Sequence, residues 1–159
     1  MRSVLGAALA GFVVATATGC AGWSNGKSQS APAPKTLSRA RFVYLADRAC
    51  AREHRREKGI PKPTSPTTLV KSLQRAIKSL EGEIVALRAL RPPDADAALF
   101  RRVLSALDAQ DLDATNLISA YEENQVGRAK AFARRLDKLD KRLRTLDRRL
   151  GLRACGRDA

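Results

Sequence analysis

The pattern that most constrains the fold of this 159-residue chain is a heptad repeat of apolar residues near its end. Its members recur at alternating intervals of three and four residues, at Ala129, Phe132, Leu136, Leu139, Leu143, Leu146 and Leu150. Such spacing puts the apolar side chains on one stripe of an α-helix, and other helices must cover that stripe. Gly151 follows directly and suits the left-handed conformation that ends many helices. The pattern therefore predicts a helix over Arg128–Leu150 that packs in a bundle.

Three earlier segments also show helical rather than strand periodicity. The first runs from the N-cap candidate Ser38 to Lys58, and the second opens at Ser65, which precedes a proline. Pro92-Pro93 ends the second segment, and the third begins near Asp94 and fades near residues 124–127, with a weak apolar stripe at 109–113. Four helices with short connections predict an all-α fold, an antiparallel helical bundle that forms one domain over residues 38–159.

The first residues have the order of a bacterial export signal. Arg2 precedes an apolar run, Val4–Ala15, that is too short to span a bilayer comfortably. The small residues Ala17-Thr18-Gly19 then precede Cys20, and this segment resembles the lipobox of bacterial lipoproteins. The resemblance implies a signal peptide over residues 1–19, cleavage before Cys20, and lipidation of Cys20 by acyl chains such as palmitate. An alternative is ordinary cleavage after Ala15-Thr16-Ala17, which would release a soluble product.

The segment after Cys20 is poor in apolar residues. Residues 20–37 are mostly Gly, Ser, Asn, Ala, Pro and Lys, so they cannot bury a core. We predict a disordered tether that links a lipid anchor to the helical domain. Two or three acyl chains hold a protein stably on a membrane. The predicted location is therefore the extracytoplasmic face of the cell membrane.

The cysteine count agrees with lipidation. An exported chain with three cysteines keeps one unpaired thiol unless lipid consumes Cys20. Cys50 and Cys155 are then predicted to form a disulfide, since the end of a fourth antiparallel helix lies near the start of the first. No Cys-x-x-Cys pair is present, so a structural staple is favoured over a redox role.

Two further segments carry a resemblance. They are Leu87-Arg88-Ala89-Leu90-Arg91-Pro92-Pro93 and Leu150-Gly151-Leu152-Arg153-Ala154-Cys155-Gly156. Together with the lipobox, the polar tether and an early Cys50, they resemble small lipoproteins of unknown function from high-GC Gram-positive bacteria. The resemblance implies a helical fold and a membrane location. It supplies no catalytic or ligand-binding residues.

The positive charge is concentrated in the predicted fourth helix. The chain carries a formal net charge of +14, and the segment Arg128–Arg149 holds ten basic and three acidic residues. Basic residues recur there at heptad spacing, with an outward set and a set beside the apolar stripe. The candidate binding residues are Arg134, Lys141 and Arg148 in the outward set, with Arg135 and Arg142 beside them. They predict binding of an anionic lipid, an acidic cell-wall polymer or an envelope protein.

A solvated surface is the competing interpretation of this charge. The segment Asp94–Gln125 holds seven acidic and two basic residues, so the two helices have complementary charge within the domain. A coiled-coil contact with another protein is a further alternative. Nucleic acid is not an expected partner, because the chain carries an export signal and no aromatic residue interleaves the basic stripe.

Catalytic and metal sites are not predicted. His54 is the only histidine, and it lies in the charged run Arg52–Arg56, which is expected to be exposed. One histidine and two paired cysteines make no zinc site. Glu81 and Glu83 lie two residues apart, so they point to different sides of a helix.

The sequence predicts a non-enzymatic lipoprotein without cofactor or metal, which binds an envelope component through a basic helix. Its Leu/Ile/Val/Ala core is expected to fill itself. The alternative is a small-molecule carrier or transporter accessory, which requires a ligand site inside the bundle. The pattern leaves the oligomeric state open.

Overall fold

A computed structural model describes residues 36–155, which form a bundle of four α-helices. The helices are α1 (Arg39–Lys58), α2 (Pro66–Arg88), α3 (Asp94–Glu122) and α4 (Val126–Leu150), and this part of the chain contains no strand. The predicted all-α helical bundle is confirmed. The predicted signal peptide, Cys20 and most of the tether lie outside the described residues.

The helix ends follow from local sequence. The Ser38 hydroxyl accepts a hydrogen bond from the backbone N–H of Arg41 at 3.4 Å, and Ser65 forms a capping box with Thr68. Gly151 ends α4 with a φ of 83°, a left-handed conformation that residues with a Cβ rarely adopt. These caps confirm the predicted starts of α1 and α2 and the predicted end of α4.

One boundary differs from the prediction, and the weak part of the third segment is helical. Helix α3 continues through residues 109–113, because Leu107 and Leu117 are buried on either side of the weak stripe. Helix α4 begins at Val126, two residues before the predicted start, after a tight turn in which Asn124 has a φ of 57°. Asparagine tolerates this left-handed conformation better than most residues.

The main core lies where all four helices meet. The rings of Phe42 and Phe100 pack edge to face with their centroids 5.0 Å apart, and Leu87 and Leu150 are fully buried beside them. A smaller cluster joins α3 to α4 near their connection, and its buried members are Leu117, Ala120, Ala129 and Phe132. The predicted heptad stripe of α4 therefore supplies both clusters.

A disulfide connects Cys50 of α1 to Cys155, with their Cα atoms 4.9 Å apart, and this confirms the predicted pair. The segment after α4 folds back along α1, where Asp47 Oδ1 accepts hydrogen bonds from the backbone N–H groups of Arg153 at 2.7 Å and Ala154 at 2.8 Å. Closing so long a loop stabilises the fold by about 4 kcal/mol in the chain-entropy account.

Candidate functional site

The outward face of α4 is a continuous basic surface, here called the basic face. Its exposed members are Lys130, Arg134, Lys138, Lys141, Arg142, Arg148 and Arg149. Equivalent positions one heptad apart lie about 10 Å apart along a helix and nearly in line. Within residues 36–155, none of these seven side chains has a carboxylate within 4.0 Å. The basic face is therefore not neutralised by described acidic residues.

Arg135 differs from the rest of the predicted set. Its guanidinium lies 3.2 Å from the Asp113 carboxylate of α3 and 4.3 Å from the centroid of the Phe132 ring. Phe132 belongs to the smaller core cluster, so Arg135 joins α4 to α3. The predicted charge complementarity between these helices holds at this residue. The structure thus separates Arg135 from the outward residues Arg134, Lys141 and Arg148.

A cavity of about 400 Å³ lies between the four helices. Its apolar wall comes from α2, α3 and α4, through Leu73, Ile77, Leu80, Val103, Leu107, Leu136 and Leu143. The expectation of a core that fills itself is wrong here. The small side chains of Ala76 and Ala114 also line the cavity, as do four carboxylates, those of Glu57, Glu83, Asp140 and Asp147.

Two of these carboxylates, Glu83 of α2 and Asp147 of α4, lie at the disulfide end of the cavity. Glu83 Oε1 is 3.3 Å from Cys50 Sγ. Asp147 is 2% exposed, and its Oδ1 has no hydrogen-bond partner among the described residues. A buried carboxylate oxygen without a partner is unfavourable, because desolvation penalises the charged form.

The surroundings raise the pKa of both groups. Burial is the main cause of raising the pKa of Glu83 to about 7, and the negative charges of Glu57, Asp147 and Glu53 add to it. Burial likewise raises the pKa of Asp147 to about 7, with a further contribution from Asp47. Both carboxyl groups are therefore more readily protonated than an ordinary glutamic or aspartic acid.

Charged residues at the rim of the cavity have partners. The Arg144 Nη2 atom is 2.6 Å from Asp140 Oδ2, and His54 Nδ1 is 4.0 Å from Glu57 Oε2. Burial raises the pKa of Glu57, although the charge of His54 opposes this shift. Arg144 and His54 thus each lie beside a carboxylate at the rim.

Glu53 is buried in a different setting, with a side chain that is 1% exposed. Arg52 Nε donates to its Oε1 at 2.9 Å and Arg56 Nη1 to its Oε2 at 2.8 Å, while the Ser79 hydroxyl lies 3.4 Å from Oε2. Burial raises the pKa of Glu53, but the hydrogen bonds and charges of both arginines outweigh burial, and the net pKa is lowered. The charged run at 52–56 is therefore not wholly exposed, contrary to the prediction.

Cys50, Cys155 and Glu83 also deserve comparison with a metal site, since one donor atom from each lies within 4.8 Å of the others. Both sulfur atoms belong to the disulfide. A cysteine binds metal as a thiolate, and a disulfide offers none. This cluster is therefore not a metal site while the disulfide is intact.

The sequence pattern does not identify Glu83 or Asp147 as site residues. A signal for Asp147 was present, because Asp140 and Asp147 are one heptad apart and flank the apolar stripe on the side opposite Arg135 and Arg142. The prediction that Glu81 and Glu83 point to different sides is confirmed. Glu81 is exposed and Glu83 lines the cavity.

Comparison with protein-family models, curated protein sequences and solved structures gives no significant match. Among residues 36–155, no helix combines the length and the apolar character needed to cross a membrane. Functional inference therefore depends on the basic face and the cavity.

Proposed function

We propose that this chain is a non-enzymatic lipoprotein of the extracytoplasmic face of the cell membrane, anchored through Cys20. Its helical domain binds the anionic phospholipid headgroups of that membrane through the basic face of α4. The observation that supports this proposal is the set of exposed basic side chains, Arg134, Lys141 and Arg142 among them, that have no described acidic partner.

The energetics favour a membrane that already holds the anchor. Each Lys or Arg near an anionic surface contributes about 1 kcal/mol, within a Debye length of about 8 Å. Individually these contacts are weak, but a lipid anchor and a short tether raise the local concentration of the domain at the surface. The basic face needs no deep pocket, since headgroups spread their charge over a plane.

The test is co-sedimentation of the mature chain, carrying Cys20→Ser to remove the acylation site, with phosphatidylglycerol/phosphatidylcholine vesicles at low and high salt. The triple variant Arg134→Glu, Lys141→Glu and Arg148→Glu should lose binding. A matched variant changes three exposed basic residues of α2 in the same way, Lys71→Glu, Arg75→Glu and Lys78→Glu, and should lose much less.

Equal loss in both triple variants would contradict a specific basic face and indicate a response to net charge alone. Binding that survives the α4 variant or high salt would contradict electrostatic docking. Binding to purified cell-wall polymer but not to vesicles would identify a different polyanion, and salt-resistant binding to envelope protein would favour the coiled-coil alternative.

The cavity favours a second candidate function, the small-molecule carrier or transporter accessory. Its volume of about 400 Å³ lies in the range of small-ligand pockets, which are mostly apolar with a few polar groups. This candidate is independent of membrane docking, because the cavity and the basic face use different sides of α4.

A further inference from the structure

The chain buries acidic residues in two ways. Glu53 has two arginine partners that favour its charged form. Asp147 is equally buried, yet its Oδ1 has no hydrogen-bond partner among the described residues, and it lines the cavity together with Glu83. A folded domain that needs these positions only for packing would be more stable with apolar side chains there. The cavity end therefore needs an explanation beyond stability.

We propose that the cavity binds a small organic cation with an apolar body, whose ammonium group lies against Glu83 and Asp147. The apolar body contacts the leucine and isoleucine side chains of the wall, including Leu73, Ile77 and Leu136. This inference rests on the second candidate function and names its ligand class.

The charged groups around Glu83 and Asp147 support a cation rather than an anion. They come from α1, α2, α4 and their partners: Asp47, Arg52, Glu53, His54, Arg56, Glu57, Glu83, Asp140, Arg144 and Asp147, six acidic residues against three arginines and one histidine. The described lining residues of α3 include no titratable group. Arg144 contacts Asp140, His54 contacts Glu57, and Asp47 accepts two backbone N–H groups. Negative charge therefore predominates at this end of the cavity.

Cation binding is coupled to proton release. The raised pKa values, about 7 for both Glu83 and Asp147, mean that the empty cavity holds protons at mildly acidic pH. An ammonium group favours a charged carboxylate and lowers its pKa, so binding of one cation releases up to one proton from the Glu83 and Asp147 pair. Affinity should accordingly rise as the pH increases through neutrality.

The experiment is isothermal titration calorimetry on the mature Cys20→Ser chain with three probes of similar size: n-hexylammonium, 1-hexanol and hexanoate. Hexylammonium should bind at least about tenfold more tightly than hexanol, and hexanoate should not bind, as the loss of one ionic contact predicts. The affinity for hexylammonium should rise about tenfold or more from about pH 6 to about pH 8. Proton release should appear as a dependence of the measured heat on the buffer.

Isosteric variants test the two carboxylates. Glu83→Gln and Asp147→Asn should each weaken hexylammonium binding at least about tenfold and reduce proton release, while hexanol binding stays unchanged. The matched controls are Glu81→Gln on α2 and Asp137→Asn on α4, both at exposed positions, which should bind like the parent chain. Because the amides keep the side-chain shape and remove a buried charge, the variants should fold, and circular dichroism checks this.

The outcomes test the ligand class and the carrier function separately. If hexanol binds as tightly as hexylammonium and the amide variants change nothing, the ligand class is wrong and the carrier function stands. If hexanoate is the best probe, the cavity selects anions and the ligand class is again wrong. If no probe binds the parent chain at either pH, both the ligand class and the carrier function are overturned.

Discussion

The Glu53 cluster and the disulfide end of the cavity both bury carboxylates, but the pKa shifts in opposite directions at the two places. At Glu53, two arginines and a serine hydroxyl contact the carboxylate, and its pKa is lowered. At Glu83 and Asp147, burial and neighbouring acids raise the pKa to about 7. Burial raises the pKa at all three residues, so the neighbouring charges and hydrogen bonds decide the direction of the net shift. The comparison distinguishes a carboxylate that stabilises the fold from two carboxylates that do so only when protonated.

Local geometry explains how Glu53 obtains its partners. Arg52 and Arg56 belong to the same helix, one residue before and three residues after Glu53, and both heads reach solvent. Gly82 of α2 leaves room for the carboxylate, since a Cβ there would lie 3.3 Å from Glu53 Oε2. The charges that shift the pKa of Glu83 and Asp147 come from acidic residues, whereas those that shift the pKa of Glu53 come from arginines.

The largest effect should be the pH dependence of stability at the cavity end. Glu83 and Asp147 have raised folded-state pKa values, so their contribution is full below their ordinary values of 4.5 and 3.8 and is lost as the pH rises through about 7. We expect the free energy of unfolding to fall by ~2–4 kcal/mol in total between about pH 5 and about pH 8. Chemical denaturation at several pH values measures this change.

Glu83→Gln and Asp147→Asn should each flatten this pH profile and raise stability at about pH 8, because each removes a buried charge. Asp137→Asn, at an exposed position of α4, is the matched control and should leave the profile as it is. If the stability of the parent chain does not change from about pH 5 to about pH 8, the pKa values of Glu83 and Asp147 are not raised, and the contrast with Glu53 is wrong.

A smaller effect, of opposite sign, is expected at Glu53. Its lowered pKa means that it stabilises the fold above its ordinary value of 4.5, and that this contribution is lost as the pH falls through its folded-state pKa. Glu53→Gln should lower the free energy of unfolding at neutral pH by ~1–3 kcal/mol, because hydrogen bonds from two arginines are weakened. Thermal or chemical unfolding beside Glu81→Gln checks this. An increase in stability would mean that Glu53 resembles Glu83.

The smallest expected effect contrasts two neighbouring residues of α4. Arg135→Ala removes the contacts with Asp113 and Phe132 and should cost ~0.5–1 kcal/mol of unfolding free energy. Arg134→Ala removes an exposed side chain and should change stability by less than ~0.5 kcal/mol. Vesicle binding should show the reverse order, with the greater loss in Arg134→Ala. Equal effects of both variants in both assays would remove the distinction between the basic face and the α3–α4 contact.

Much of the fold can be predicted from local sequence patterns. The apolar spacing of α4, the caps at Ser38 and Ser65, and the left-handed Gly151 depend on nearby residues, so the sequence predicts them well. The Cys50–Cys155 disulfide is also predicted by the number of cysteines and the antiparallel topology. The continuity of α3 is harder to predict from the sequence. Other helices bury Leu107 and Leu117, and this burial compensates for the weak apolar stripe between them.

The candidate sites also differ in whether nearby residues or packing between helices determine them. The sequence by itself determined the four helices, the disulfide and the basic face, because each arises from residue spacing or residue count. The prediction of lipidation at Cys20 likewise depends on sequence alone. Only the tertiary structure decided that Glu53 is buried, that Glu83 and Asp147 share a cavity, and that Arg135 contacts α3. The physical reason is that the pKa and the packing of a charged group depend on what other helices place beside it, and no periodicity within one helix contains that information.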